Sequence, residues 1–438
     1  MLVAATPLFP QTALTLQDAV RMTLEKHPAI EGRASQTRSA EARITEARGG
    51  YLPRVNYSES WTRSDNPVFV FGSLLSQHQF TEANFSVGPL NRPDFLNNFQ
   101  SQVTIDQTLY DWGATRTQVR TAELGRTMSQ EQERGTRMGL MARVVQTYYA
   151  AVLANASLEV AREALKSAEA DAERAETVRR AGMSTDADVL SIRVHVAAVR
   201  EHEIRRGYDV QVAMAALNET LGLDLNTQHS LETPLTPAKL AADSAAQYEN
   251  AATTNRPDLK QSELVTQMAG QQSTAAKAAL LPQFGVRGAF EANRQEFVRT
   301  GGANWLVAVS MHWNLFDGFA NRARLTGAKA SHQSALAQQR EASQRVRLEV
   351  FRAWAASRAA EERIAVAAAA VAQAEESLRI IKNRYDSGLA TVTDLLRNET
   401  ALLEARTRRL AAIHDQRVAA AQLELAAGTL SADSEVLR

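Results

Sequence analysis

The sequence predicts a mainly α-helical chain with a small β part, and three observations carry that prediction. Hydrophobic residues make up 45% of the 438 positions but aromatic residues only 6%. The apolar surface is therefore chiefly Ala, Leu and Val, a mix led by good helix formers. All 11 prolines lie at or before Pro282, with none between Asp94 and Thr233, so two windows of more than a hundred residues are free to hold unbroken helix. Of the 26 aromatic residues, eleven fall in Tyr51–Trp112 and seven in Leu280–Phe319. Two aromatic islands thus interrupt an Ala-rich helical chain.

Composition also excludes several classes. Lys+Arg and Asp+Glu each number 49, so the formal net charge is zero, unlike the basic excess of nucleic-acid binders. With no cysteine there is no disulfide framework, thiolate metal site or Cys nucleophile. No apolar run reaches the 18 residues of a membrane-spanning helix, which leaves a membrane barrel open.

The islands point to a duplication. His27-Pro28 is echoed by Arg256-Pro257, and Tyr51-Leu52-Pro53 by Leu280-Leu281-Pro282, each 229 residues later. Leu109-Tyr110-Asp111 is echoed by Leu315-Phe316-Asp317 at an offset of 206, which also relates Arg116 to Arg322, Tyr148 to Trp354, Gly182 to Gly388, Thr185 to Thr391, Asp188 to Asp394 and Gly222 to Gly428. One gap, inside the first island, places every pair. The predicted organisation is a remnant of a signal or N-terminal arm at 1–13 and a first repeat at 14–222, with a hairpin at 53–110 and a tip at 182–185. A linker at 223–242 precedes a second repeat at 243–430, with a hairpin at 282–316 and a tip at 387–390. A tail at 431–438 closes the chain.

Within the second island, Trp305, Val307, Val309, Met311, Trp313 and Leu315 alternate with Leu306, Ala308, Ser310, His312 and Asn314. Period 2 means strand. Its partner is Phe284, Val286, Gly288 and Phe290, across the Gly301-Gly302 turn. The first island repeats this more weakly, with Val55, Tyr57 and Trp61, then Phe99, Val103, Ile105 and Leu109. Eleven residues at ~3.3 Å each, tilted by about 45°, span close to the ~25 Å apolar band of an outer-membrane barrel. Trp305 towards one end, and Trp313 with Phe316 towards the other, suit an aromatic girdle. Four strands close no barrel, so a barrel needs several chains. A soluble sandwich of two hairpins is the alternative.

The helices carry heptad seams. Ile364, Val371, Leu378 and Tyr385 step by seven, with Ala367, Ala374 and Ile381 three residues after the first three; Leu158, Ala161, Leu165, Ala168, Ala172 and Ala175 match them in the first copy. A 3.5-residue repeat packs helices along their length as coiled coils. From Ala114 to Ala181 an unbroken helix would run roughly 100 Å, with Gly125, Gly135 and Gly139 as sites of bending. Taken alone, these seams also fit a soluble coiled-coil protein.

From Leu14 to Leu430 the chain resembles the TolC family of outer-membrane efflux and secretion channels. The resemblance rests on the duplicated helix–hairpin–helix–helix order, on the Leu-Tyr-Asp and Leu-Phe-Asp strand ends, and on 385–396, Tyr-Asp-Ser-Gly-Leu-Ala-Thr-Val-Thr-Asp-Leu-Leu. It implies a homotrimer with a 12-stranded barrel in outer-membrane lipid and a long α-helical coiled-coil barrel in the periplasm. It also implies a periplasmic adaptor (membrane fusion) protein and an inner-membrane transporter of the RND or ABC type as partners. Asp394 matches the family's aperture-ring aspartate, Asp188 its counterpart in the first copy, and Tyr385 a latch tyrosine. Ala390 and Arg397 stand where a latch arginine and a second ring aspartate occur in the family, which implies a less acidic ring here. Helix N-terminal carboxylates favoured by the macrodipole are the plain alternative for Asp188 and Asp394. Gly182-Met183 and Gly388-Leu389 match the tips at which the family meets the adaptor.

No Gly-x-Ser-x-Gly, P-loop or His-Glu-x-x-His pattern occurs, and no enzymatic activity, cofactor or metal is expected. His195 and His202, seven apart, read as surface or seam histidines. The expected function is a passive exit duct of a tripartite efflux pump, carrying small molecules outward with energy supplied at the inner membrane. The alternatives are an outer-membrane component of type I protein secretion and a soluble periplasmic coiled-coil interaction protein. Residues 1–13 carry no basic residue and read as the end of a signal.

Overall fold

The computed structural model describes residues 12–182, 184–238 and 244–437. Residues 1–11, Met183, the 239–243 stretch and Arg438 lie outside the described residues, and with them parts of the predicted arm, tip, linker and tail. In chain order come β1 (Thr12–Leu14), α1 (Leu16–Lys26), α2 (Pro28–Arg48), β2 (Arg54–Ser64), α3 (Pro67–Ser76), α4 (Val87–Asn91), β3 (Leu96–Tyr110), α5 (Ala114–Arg180) and α6 (Asp186–Leu221). There follow β4 (His229–Leu231), α7 (Ala245–Asn255), α8 (Pro257–Ala278), β5 (Gln283–Arg294), β6 (Gly302–His312), α9 (Ala320–Asp386) and α10 (Val392–Ala427). The chain divides into two compact units, one of residues 1–36, 129–262 and 339–438, the other of 37–128 and 263–338.

The proline-free windows become α5 and α9, each 67 residues long and each with residues in both units. The α5 helix runs unbroken through Gly125, Gly135 and Gly139. Seam positions Ala161, Ala168 and Ala175 are buried at 0–2% exposure while Arg162, Glu169 and Glu176 beside them are far more open. This is the small-residue stripe a close helix contact needs. The main core joins Leu16 and Val20 of α1, Val144, Val145 and Tyr148 of α5, Leu217 and Leu221 of α6, and Ala420 and Ala421 of α10. The predicted linker contributes to it through Leu231 and Leu235, and β4 pairs in parallel with β1, which takes in the end of the predicted arm and the buried Leu14. The predicted tail joins the same core through the buried Val436 and Leu437.

Both short helices, α6 and α10, open on a capping box (Thr185 with Asp188, Thr391 with Asp394) and close on a left-handed glycine, Gly222 at φ +73° and Gly428 at φ +70°. The two glycines differ in surroundings. A Cβ on Gly222 would meet only Pro28 Cδ at 3.8 Å, whereas one on Gly428 would sit 2.9 Å from Arg256 N and Asn255 C. Gly222→Ala should therefore cost about 1 kcal/mol, the left-handed penalty alone. Gly428→Ala should cost clearly more, because the α7–α8 joint must shift. Thermal unfolding of both variants in detergent checks this; equal losses would refute it.

In the second unit β2, β3, β5 and β6 form one antiparallel sheet in that order, with the two hairpins joined by the β3–β5 pair. It is a single sheet, not the two facing sheets of a sandwich. Its register sorts the side chains. Tyr57, Val103, Phe290 and Trp305 lie in one row across the four strands, and Val55, Ile105, Gly288 and Val307 in the next. The opposite face carries Ser58, Gln102, Glu291 and Asn304 in one row and Arg54, Asp106, Arg287 and Ala308 in another. Alternation thus gives one mainly apolar and one mainly polar face, the apolar one interrupted by the Glu59–Arg294 ion pair. The apolar face is open: Trp305 is 79% exposed and Val309 73%.

The strand predicted at Trp305–Leu315 is displaced. β6 has the expected 11 residues but begins at Gly302 and ends at His312. Beyond it Trp313 donates its indole N–H to the Leu280 carbonyl at 3.1 Å, so the chain has left the sheet before Leu315. Trp112 does the same in the first copy, donating to the Pro282 carbonyl at 2.7 Å. Phe316 also falls past the strand and stacks edge-on against Phe319.

Candidate functional site

Two α-helical hairpins, α5–α6 and α9–α10, end in the tips singled out from the sequence. Gly182 (φ +78°) and Gly388 (φ +71°) take the left-handed conformation that ends each long helix. Behind Gly388 the Leu389 N–H donates to the Arg384 carbonyl at 2.7 Å, and the Leu389 side chain stands 69% exposed. Met183 lies outside the described residues.

The structure puts Asp188 and Asp394 at equivalent places, the third residue of α6 and of α10. The Thr391 hydroxyl and N–H donate to Asp394 Oδ2 at 2.7 and 3.2 Å, and the Asp394 N–H returns a bond to Thr391 Oγ1. Thr185 does the same for Asp188, with Ser184 adding a third donor at 3.2 Å. These threonine bonds hold both carboxyls below the usual range, so both carry charge at neutral pH. Capping and charge thus coexist in the same side chains.

Tyr385 packs with Ala175 of α5, Val189 and Ile192 of α6 and Val392 of α10. Burial, with the charges of Asp188, Asp171 and Asp386 nearby, pushes its hydroxyl above the usual tyrosine range. Among the described residues that hydroxyl makes no hydrogen bond; ion pairs fasten the two hairpins instead. Arg174 of α5 reaches both oxygens of Asp386 of α9 at 3.1 Å, and Arg406 of α10 bridges Glu163 of α5 and Glu375 of α9.

Deeper between the helices is a cluster the sequence reading missed, with one residue from each of the four. Lys382 of α9 lies 2.8 Å from the buried Asp171 of α5. His195 of α6 lies 3.2 Å from Glu399 of α10. His195 is therefore a seam histidine, while the other three were passed over. A signal existed: Val392, Leu395, Glu399 and Leu402 step by three and four, so Glu399 interrupts an apolar seam with a carboxylate. Both Glu399 oxygens are buried without an aligned hydrogen bond. Burial, opposed by His195 and reinforced by Asp171, raises its carboxyl above the usual value of 4.5.

A carboxyl raised in the folded state supports folding fully below its ordinary value and loses that support as pH climbs through the raised one. The gap in thermal midpoint between Glu399→Gln and the parent should therefore widen in the variant's favour from about pH 4.5 towards neutrality. Parallel curves would show that Glu399 is not strained. No group of three or more His, Cys, Asp or Glu suited to a metal occurs among the described residues, and no helix among them is long and apolar enough to cross a membrane.

The chain matches the family model for outer membrane efflux proteins over residues 19–223 and 249–429. It is 28% identical to protein CyaE of Bordetella pertussis over 431 residues, covering 95% of this chain and 84% of that protein. To outer membrane protein OprJ of Pseudomonas aeruginosa it is 26% identical, covering 91% and 82%. A Pseudomonas aeruginosa membrane protein shares its fold with a TM-score of 0.82 at 22% identity, covering 97% of this chain and 99% of that one. The Campylobacter jejuni outer membrane channel CmeC does so with a TM-score of 0.82 at 17% identity, covering 96% and 87%. Two copies of a helix–hairpin–helix–helix unit, a four-stranded sheet with one apolar face, and a match along both copies agree: the chain belongs to the outer membrane efflux protein family.

Proposed function

We propose that three copies of the chain form a passive outer-membrane channel-tunnel, the exit duct of a tripartite efflux pump that carries small molecules outward. One observation carries this reading: among the described residues the sheet's edges at β2 and β6 are unpaired, and one face is mainly apolar and the other mainly polar. Exposed edges and an open apolar face are both costly in water. Three sheets joined edge to edge make twelve strands, with apolar residues towards lipid and polar residues lining the lumen. Trp305 sits in this band, with Trp313 and Phe316 past its other end as interfacial anchors.

The helices of the three copies then form an α-helical barrel in the periplasm. Asp188 and Asp394, charged at neutral pH, and Tyr385 line its narrow end, while the exposed Leu389 beside Gly388, with Gly182 and Met183 on the other tip, meets a periplasmic adaptor. The chain carries no nucleotide-binding loop, so an inner-membrane transporter of the RND or ABC type supplies the energy. Purified protein should have the mass of a trimer and conduct ions across a planar bilayer; a monomer soluble without detergent would overturn this. Loss of the chain from its host should cause selective hypersensitivity to hydrophobic drugs, detergents or metal ions. An unchanged panel with a missing secreted polypeptide would make protein the cargo.

A further inference from the structure

The segment between β2 and β3, residues 65–95, is a folded element and not a loose loop. Asn66 caps α3 by accepting from the Val68 and Phe69 N–H groups, and Pro67 occupies its first turn. Phe71, Phe80 and Phe85 stack edge to face at 4.8 and 5.1 Å.

The side of the sheet on which it packs is decided by four contacts. Gln77, 1% exposed, donates its side-chain N–H to Asn98 Oδ1 at 2.8 Å and to the Asn97 carbonyl at 3.0 Å. Asn98 donates onward to Asn293 Oδ1 at 2.9 Å, and Asn304 reaches the Ser76 carbonyl at 3.4 Å. A Cβ on Gly302 would come within 2.1 Å of that same carbonyl, so the close approach requires glycine there. By strand register Asn98, Asn293, Gly302 and Asn304 all belong to the polar face.

On α3, Val70 and Ser73 are buried on the same side of the helix as Gln77, the residue bonded to the sheet, while Val68 and Leu75, half a helical turn away around the axis, are 81% and 48% exposed. Two large apolar side chains therefore point away from a polar wall. They do so at the end of the sheet opposite the helices.

We infer that residues 65–95 fold inward over the lumenal face of the barrel, so that Val68 and Leu75 of three copies form an apolar collar narrowing the outer mouth of the duct. This rests on the trimeric-barrel reading above. Apolar constrictions resist hydrated ions by dewetting, so the collar limits ion leak at the outer end independently of the charged periplasmic end.

The chain has no cysteine, so Val68→Cys places a single thiol in each copy. The test is single-channel conductance of that variant in planar bilayers before and after sulfonatoethyl methanethiosulfonate, with labelling confirmed by mass. The expected result is at least a halving or doubling of conductance on labelling, as an anion enters the narrowest apolar point. Two variants act without the thiol: Gly302→Ala, which drives the Ser76 carbonyl off the sheet, and replacement of 65–95 by the 295–301 connection of the second hairpin. Both should raise conductance about twofold or more if the collar sets the outer resistance. Full labelling without a conductance change, a thiol that does not react, or a trimmed channel conducting like the parent would overturn the collar while leaving the channel reading intact. Protein that forms no conducting trimer would overturn both.

Discussion

Lys382→Glu is expected to loosen the helix tips and to raise the conductance of the channel. Lys382 lies 2.8 Å from Asp171, whose side chain is 4% exposed, while the lysine keeps about a third of its own exposure. Removing one partner of a buried pair leaves an uncompensated charge, and the cost is about 3 kcal/mol, the low end of the usual range because Lys382 is partly solvated. Glutamate adds repulsion, since it would face the buried Asp171. α5 and α9 would part where the tips should be narrowest, and Arg174–Asp386, an exposed pair, is too weak to hold them. Asp171→Lys combined with Lys382→Glu should restore parent conductance and melting temperature, since the pair is re-formed with its charges exchanged. If the single variant conducts and melts like the parent, the pair contributes nothing to closure.

The long helices and strands were legible because each is written in local terms. Absence of proline and a seven-residue apolar step specify α5 and α9 without reference to any other segment. Alternation specifies β6 to within three residues; the error arose because Trp313 keeps the alternating pattern while its indole bonds to Leu280 outside the sheet. Contacts between distant residues were not legible. β1 and β4 are three residues each, too short to show a period, and pair across more than two hundred positions. Residues 68–71, Val-Phe-Val-Phe, suit strand as well as helix. What makes them helix and turns them inward is Asn66, Gln77 and a glycine at 302, of which only the first is a local signal.

At the tip the same division holds. Asp188 and Asp394 were legible because the tip motif repeats at an offset of 206 and resembles the family's; the structure adds that each is the acidic half of a capping box, Thr-x-x-Asp, so the same four residues supply cap and charge. The Asp171–Lys382 and His195–Glu399 contacts join four helices, and only Glu399 leaves a trace along its own helix, as a carboxylate in an apolar seam.

Tyr148→Ala should bring the largest loss of stability of any change in the main core, about 4 kcal/mol, as expected for a fully buried large side chain. Tyr148 is 0% exposed and sits edge-on to Tyr149. Its hydroxyl donates to the Leu14 carbonyl at 2.8 Å and accepts from the Thr233 N–H at 3.1 Å. One phenol thus ties α5 to both segments that enclose the β1–β4 pair, with Thr233 in turn accepting from the Leu16 N–H. Tyr148→Phe separates the ring from the hydroxyl: the Thr233 N–H loses its partner while the Leu14 carbonyl keeps the Glu232 N–H at 3.1 Å, costing about 1–3 kcal/mol. The second copy supplies the control. Trp354 stands 206 positions later, at the matching point of α9, and its indole N–H is buried with no hydrogen-bond partner. Trp354→Phe removes that unmet donor together with some packing, two effects of opposite sign, so it should stay within about 1 kcal/mol of the parent. Thermal midpoints of the three variants in one detergent should therefore fall in the order Trp354→Phe, Tyr148→Phe, Tyr148→Ala. A Tyr148→Phe protein as stable as Trp354→Phe would mean that the hydroxyl bridge contributes nothing and that the ring alone holds the two segments in place.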